Sequence, residues 1–472
     1  MKIPPILFII FSSLLSGILL FDQTLGINIP VFIVSLSVMW YLNRAGWLFS
    51  RNACITLGAT ILAALAIAAG YSSYAVMTFL ILMLATIGTL AFSQAPLPAS
   101  LIHGVYTLIT SHLVILTDNR QRISSGKAMR VLKVSMVPVL VAIAFFLMYY
   151  LGNPAFAALM NNFTPGAPGA FFWFCLWSGV FLFGTFYINE NWAGMLLEKK
   201  LPDYLSRDNM RSNPVKTRIQ GLCTGVRKEN QRALLTLGLL NGLILLVNLT
   251  DLYYISGGTL PDDLTHSEYV HQGIYTLILS LVLAISLILF YFRGSLNFFS
   301  PARHTFFLTI AWLFQNGILA LLCAYRNLLY VEEYGLTHKR IGVWVYIVLV
   351  LAGLLITYLK VSRKLSLWHL IKLNSTIAIG LFLCMSFFNW DGFIAHYNLY
   401  HARRTDFDYL MTLSDTALPV MDEFEEKEWW PETATKAFER RKLEAMKRVS
   451  ELEWQSMTLA DYDIAKSLTD NN

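Results

Sequence analysis

What most constrains this chain is a series of uninterrupted apolar blocks, each near the 20 residues a helix needs to cross a hydrocarbon core of about 30 Å. They fall at 4–21, 29–42, 53–70, 75–93, 134–152, 169–188, 233–250, 272–292, 305–326, 342–360 and 372–390. Inside lipid every backbone N–H and C=O must be paired within the protein, so blocks of this length are helices. The expected fold class is therefore all-α: a polytopic transmembrane helix bundle of about eleven spans with a short acidic helical C-terminal tail. The domains expected are a membrane domain at 1–400 and a partly helical soluble tail at 401–472. The block after Met1 and Lys2 lacks a small-residue cleavage site and further spans follow at once, so it reads as a span and not a signal peptide.

The segment from Leu101 to Leu116 fits this scheme least well. It contains His103, Gly104 and His112 and follows Pro96 and Pro98, which break the preceding helix. It reads as a helix lying in or dipping into the cytoplasmic face, with the two histidines hydrogen-bonding there and not binding haem. A crossing at this point would invert every later orientation.

Charge supplies the orientation. Residues 1–390 hold 26 Lys and Arg against 13 Asp and Glu, and the remainder holds 10 against 17. The positive charges cluster in short loops between spans, which is the positive-inside pattern and excludes a nucleic-acid partner. With the N-terminus inside, 23 basic residues fall on inner segments and only Arg326, Lys339 and Arg340 on outer ones. The tail is then extracytoplasmic. The basic 189–232 loop faces anionic headgroups, with docking of a cytoplasmic partner as the sharper alternative. From Phe424 to Trp430 the tail is acidic, and beyond Pro431 its Phe438, Leu443, Met446 and Val449 recur at helical spacing.

Ionisable groups are costly in apolar spans, so their positions mark candidate function. Asn241, Asn248 and Asp251 share one face of the seventh span, and the outer loop beyond it carries Asp262, Asp263, His266, Glu268 and His271. In the ninth span Gln315, Arg326, Tyr330 and Glu333 form one stripe that runs past the membrane to a Gly335 cap. The last span exits through Asn389, Trp390, Asp391 and His396. The topology places Asp251, Glu268, His271, Arg326, Tyr330, Glu333, Asp391 and His396 at one outer end, as a ligand-binding cluster for a small molecule or a protein. Arg326 either snorkels, ties helix ends by pairing with Asp251 or Glu333, or binds a carboxylate or phosphate.

No metal site or cofactor is expected. Glu268 and His271 form a single Glu-x-x-His, and the five cysteines show no ligand spacing. Walker, GxGxxG, GxSxG and CxxCH motifs are absent from the sequence. Three functional classes remain. Ligand or partner binding for sensing or transport leads, ahead of an enzyme acting on a lipid or lipid-linked substrate through His271 or His396, and of a partner-recruiting scaffold.

Several of these segments together resemble a known family. They are Leu240 to Tyr254 with Ser256, Gly257 and Gly258, then THSEYVHQG from Thr265 to Gly273, Arg326 with EYGLT from Glu333 to Thr337, and NWDGFIAHYN from Asn389 to Asn398. Asp408, Tyr409 and Leu410, Ala417 to Pro419, and the opening Gly17 to Asn28 continue the pattern. The chain resembles a bacterial multipass membrane family catalogued as domain of unknown function four-one-seven-three. It departs from that family at Trp390, where a proline is usual, and in lacking an acidic run before Asn153. The resemblance implies a bacterial inner-membrane location and a shared helical fold, with no reaction assigned.

Overall fold

The computed structural model describes residues 5–43, 50–92, 95–117, 167–186, 226–255, 285–292, 295–298, 302–403, 405–425 and 430–470. They form two compact units, one of Met1–Glu198 with Leu452–Leu459 and one of Lys199–Glu451 with Ala460–Asn472. Helices dominate, and no strand occurs among the described residues. Six of the described helices are long and apolar enough to span a membrane, and two shorter ones are apolar. The expected spans at 134–152 and most of 272–292, and the 189–225 part of the basic loop, lie outside the described residues.

The first unit contains α1 (Pro5–Leu20), α2 (Asn28–Asn43), α3 (Arg51–Ala69), α4 (Tyr74–Ala91), α5 (Leu97–Thr117) and α6 (Ala167–Phe186). Between α3 and α4 the Thr56 and Thr89 hydroxyls meet at 2.7 Å and those of Thr60 and Thr86 at 2.8 Å. In a span, hydroxyl pairs of this kind satisfy each other and fix the register of neighbouring helices.

The 101–116 segment lies within α5, a helix that packs along α4. α5 is a continuous helix of 21 residues, about 31 Å at 1.5 Å per residue. It runs antiparallel along α4, with Gly88 against the Ser100 carbonyl and Gly104 against that of Leu84. A Cβ at either glycine would overlap backbone, so this close approach needs glycine on both helices. His103 is buried and stacks on Phe92 at 5.4 Å. Gly104, one of the residues that suggested an interfacial helix, is thus what lets the two helices approach closely.

Within this unit the direction of α6 is given by its contacts with α1. α6 is antiparallel to α1, because Phe171 lies beside Phe21, Cys175 beside Gly17, and Gly179 beside Ser13 and Ile9. α6 therefore starts at the end where α1 finishes. At that end the α1–α2 turn receives the Leu452–Leu459 segment. Ile27 N donates to the Met457 carbonyl (3.1 Å), Thr24 N to Ser456 Oγ (3.0 Å), and Gln23 to Glu453 (2.9 Å). Gly26 lies against the backbone of Ser456 and Met457.

The second unit is built on α7 (Val226–Ile255), α8 (Arg303–Tyr334), α9 (His338–Arg363) and α10 (Leu367–Met385), followed by α11 (Trp390–Tyr400). Leu237, Ile288, Trp312, Ala320, Ile347 and Leu354 are buried in their shared apolar core. α8 has 32 residues, about 48 Å, so it outruns the hydrocarbon by several turns. Its polar stripe needs that length. The tail adds α12 (Leu418–Glu425), α13 (Glu432–Glu451) and α14 (Leu459–Asp470). Phe438 is fully buried beside Trp430, and Arg441 donates to the carbonyls of Leu410, Met411 and Leu413. Lys442 pairs with the buried Asp422 at 2.6 Å.

Candidate functional site

The polar residues of α7 and α8 form a ladder between the two helices. Gln315 donates to Asn241 Oδ1 (2.7 Å), Asn241 to the Leu308 carbonyl (3.0 Å), and Asn248 to the Gln315 carbonyl (3.1 Å). Towards the end of α7, Arg326 Nη2 lies 2.7 Å from Asp251 Oδ2, each residue 8% exposed. Asn248 Oδ1 and Gln315 Oε1 accept no hydrogen bond among the described residues, and water is scarce at this depth, so the bonds that are made hold only while the two helices keep this register. Of the three roles open to Arg326, this geometry is the helix tie to Asp251.

Beyond the membrane, α8 ends at Gly335 (φ 78°, ψ −179°), a conformation essentially confined to glycine. Asn398 of α11 then clamps the next residue from both sides: its Oδ1 accepts from Leu336 N (2.5 Å) and its Nδ2 donates to the Leu336 carbonyl (2.9 Å). Thr337 caps α9, accepting from Arg340 N at 3.4 Å. His338 Nε2 lies 2.5 Å from Asp391 Oδ1, and Asp391 Oδ2 accepts from Ser414 Oγ (2.5 Å) and Ser414 N (3.3 Å). Burial pulls the Asp391 carboxyl upward, but hydrogen bonds from His338 and Ser414 and the attraction of the imidazole outweigh it and hold it below the ordinary carboxylate value. Asn389 caps α11 through Gly392 N (2.8 Å) and donates to the Thr416 carbonyl (3.2 Å). His338 N donates to Tyr409 Oη at 3.2 Å.

The segments EYGLT, NWDGFIAHYN, Asp408 to Leu410 and Ala417 to Leu418 thus meet at one junction. His338, Asn398 and Ser414 were missed as candidates. The available signal was His338 directly after EYGLT, at the start of a span. Ser414 donates to Asp391 and not to His338, so these three residues are not arranged as a nucleophile–base relay.

The remaining candidates are dispersed. The Tyr330 ring carries the Arg340 guanidinium at 4.3 Å, and Arg340 also donates to the Tyr334 (2.8 Å) and Gly335 carbonyls. Glu333 pairs with exposed Arg403 at 3.3 Å, and exposed His396 packs on Tyr400 at 4.7 Å. Glu268 and His271 lie outside the described residues. Beside the junction is an open cleft of about 490 Å³ lined by Tyr334, Arg340, Thr405, Asp406, Phe407 and Asp408. It brings one guanidinium, two carboxylates and two aromatic rings together. Among the described residues no group of His, Cys, Asp and Glu is arranged to hold a metal ion.

Apolar helices of spanning length, an interhelical polar ladder and a stitched junction at one end of the second unit define a polytopic α-helical membrane protein. The chain belongs to the family described as Domain of unknown function (DUF4153), whose model matches residues 31–424. The expected kind of family, multipass and without assigned function, is the one found, under the number 4153 in place of four-one-seven-three. No curated protein and no solved structure matches the chain.

Proposed function

We propose that this protein sits in a bacterial inner membrane with its N-terminus cytoplasmic, and that its extracytoplasmic end binds a small ligand or a partner segment for sensing or transport. The observation that carries this reading is the 490 Å³ cleft beside the junction. Its volume is in the range of small-molecule sites, and Arg340, Asp406 and Asp408 converge there beside the rings of Tyr334 and Phe407 in an open, largely polar cleft. The Asp251–Arg326 tie and the Asn398 clamp hold its α8–α9 wall rigid, so binding would not have to order that wall. The enzyme reading gains no geometry from the described residues, where His396 packs on Tyr400.

Two experiments test the proposal. Purified protein in neutral detergent is screened for ligands by thermal shift, and each hit is repeated on Phe407→Ala and Asp408→Asn. Loss of the stabilisation in both variants supports the cleft, whereas hits that stabilise all three proteins equally would remove it. For the side, a single cysteine at Thr337 on a cysteine-free background should react with an impermeant reagent in intact cells. Reaction only after lysis would reverse the orientation.

A further inference from the structure

The end of the second unit opposite the junction has a different chemistry. The start of α7 is joined to that of α8 by a 2.7 Å hydrogen bond from Thr305 to Asn230. Lys360, 2% exposed in the last turns of α9, donates to the Phe292 carbonyl at 3.0 Å. This contact holds the end of α9 against residues 285–292 and leaves the α9–α10 turn at the rim. There Arg363 and Lys364 are exposed, Lys364 in the left-handed conformation (φ 55°) that turns the chain into α10. Arg232, Arg303 and His304 are exposed at the same end, and Glu229 is the one carboxylate among its described residues. Leu367 is 50% exposed and Trp368 half-buried, one turn from the charges. Beyond them α10 is mostly half-buried, with Ile371, Gly380 and Cys384 exposed along one flank where acyl chains can lie.

We propose that the α9–α10 turn is a binding surface for an anionic phospholipid, with Arg363 and Lys364 on the headgroup phosphate and Leu367 and Trp368 at the boundary between headgroups and acyl chains. Three features fit this occupant together. A rim whose described residues are cationic but for Glu229 attracts anionic headgroups, a half-buried indole suits the boundary between headgroups and chains, and the helix continuing from that boundary keeps an exposed stripe through Leu367, Ile371, Gly380 and Cys384. A soluble anion would use the charges but have no need of Leu367, Trp368 or the flank of α10.

The test uses the full chain in neutral detergent. Phosphatidylglycerol, phosphatidylcholine or inorganic phosphate is added, and affinity is read from thermal stabilisation and from lipid retained in native mass spectrometry. Phosphatidylglycerol should bind the wild type more tightly than phosphatidylcholine, and inorganic phosphate should not stabilise it. R363Q/K364Q should lose about 30-fold in phosphatidylglycerol affinity, at about fivefold per charge near a membrane surface. K339Q/K436Q, which removes the same charge from the start of α9 and from the exposed Lys436 of α13, should keep wild-type affinity. Should R363Q/K364Q fail to fold, K364Q alone should show the fivefold loss. The proposal is overturned if a folded rim variant keeps its phosphatidylglycerol affinity, if both double variants lose it equally, or if inorganic phosphate stabilises as well as the lipid.

Discussion

Asp251 and Arg326 allow the role of a buried ion pair to be measured directly. At 2.7 Å and an effective dielectric constant of about 20, their attraction is about 6 kcal/mol. Removing both charges from water offsets much of this, since each residue is only 8% exposed. Deleting one partner strands the other, so Asp251→Leu or Arg326→Met should each cost about 3–5 kcal/mol. Replacing both removes the penalty along with the attraction, and the double variant should lie within about 1–2 kcal/mol of the wild type. The double-mutant cycle should therefore show a coupling of several kcal/mol in unfolding by mixed detergent titration, read by tryptophan fluorescence. Additive single losses would refute the reasoning, since the pair would not be the tie between α7 and α8. A stable double variant that still binds ligands in the cleft would confine Arg326 to that structural role.

Three further expectations concern the junction and the α4–α5 contact. Gly335→Ala should cost about 1–3 kcal/mol from backbone strain and more from displacing Asn398, whose Oδ1 lies 2.6 Å from the would-be Cβ; wild-type stability in the same titration would contradict the assigned backbone. The Asp391 carboxyl is held below its unfolded value, so its contribution is present above about pH 4 and is lost as pH falls through the lower folded value. The stability gap between wild type and Asp391→Asn should accordingly be open at neutral pH and close on acidification; a gap that widens in acid would give the wrong sign. Gly104→Leu should destabilise by about 1–3 kcal/mol or more, because its side chain meets the Leu84 backbone, whereas a helix lying free at the interface would tolerate it.

Much of the architecture could be read from the chain because lipid leaves few alternatives: a block such as 342–360 with no charged residue before its final lysine can only be helical at membrane depth. Asp251 and Arg326 were identifiable for the same reason, since isolated charges at span ends must find partners. The close packing of α5 on α4 was not legible, because a glycine such as Gly104 shows its purpose only once the facing Gly88 is known. Spacing along α7 and α8 made the Asp251–Arg326 stripe legible, but the partners of the other candidates were not. Glu333 turns to Arg403 and Asp391 to His338 because of where α11 and the tail fold back, and spacing along one helix carries no information about that return.

The docking of Leu452–Leu459 on the α1–α2 turn also has a dimension in time. Thr24 and Ser456 are 432 residues apart, so at roughly 5–20 residues per second the ribosome needs about 20–90 s to supply the turn's partner. Throughout that interval the amides of Thr24 and Ile27 must be served by water, and the notch at Gly26 stands open. The α1–α2 turn is thus closed over only after the 432 residues that follow it have been made.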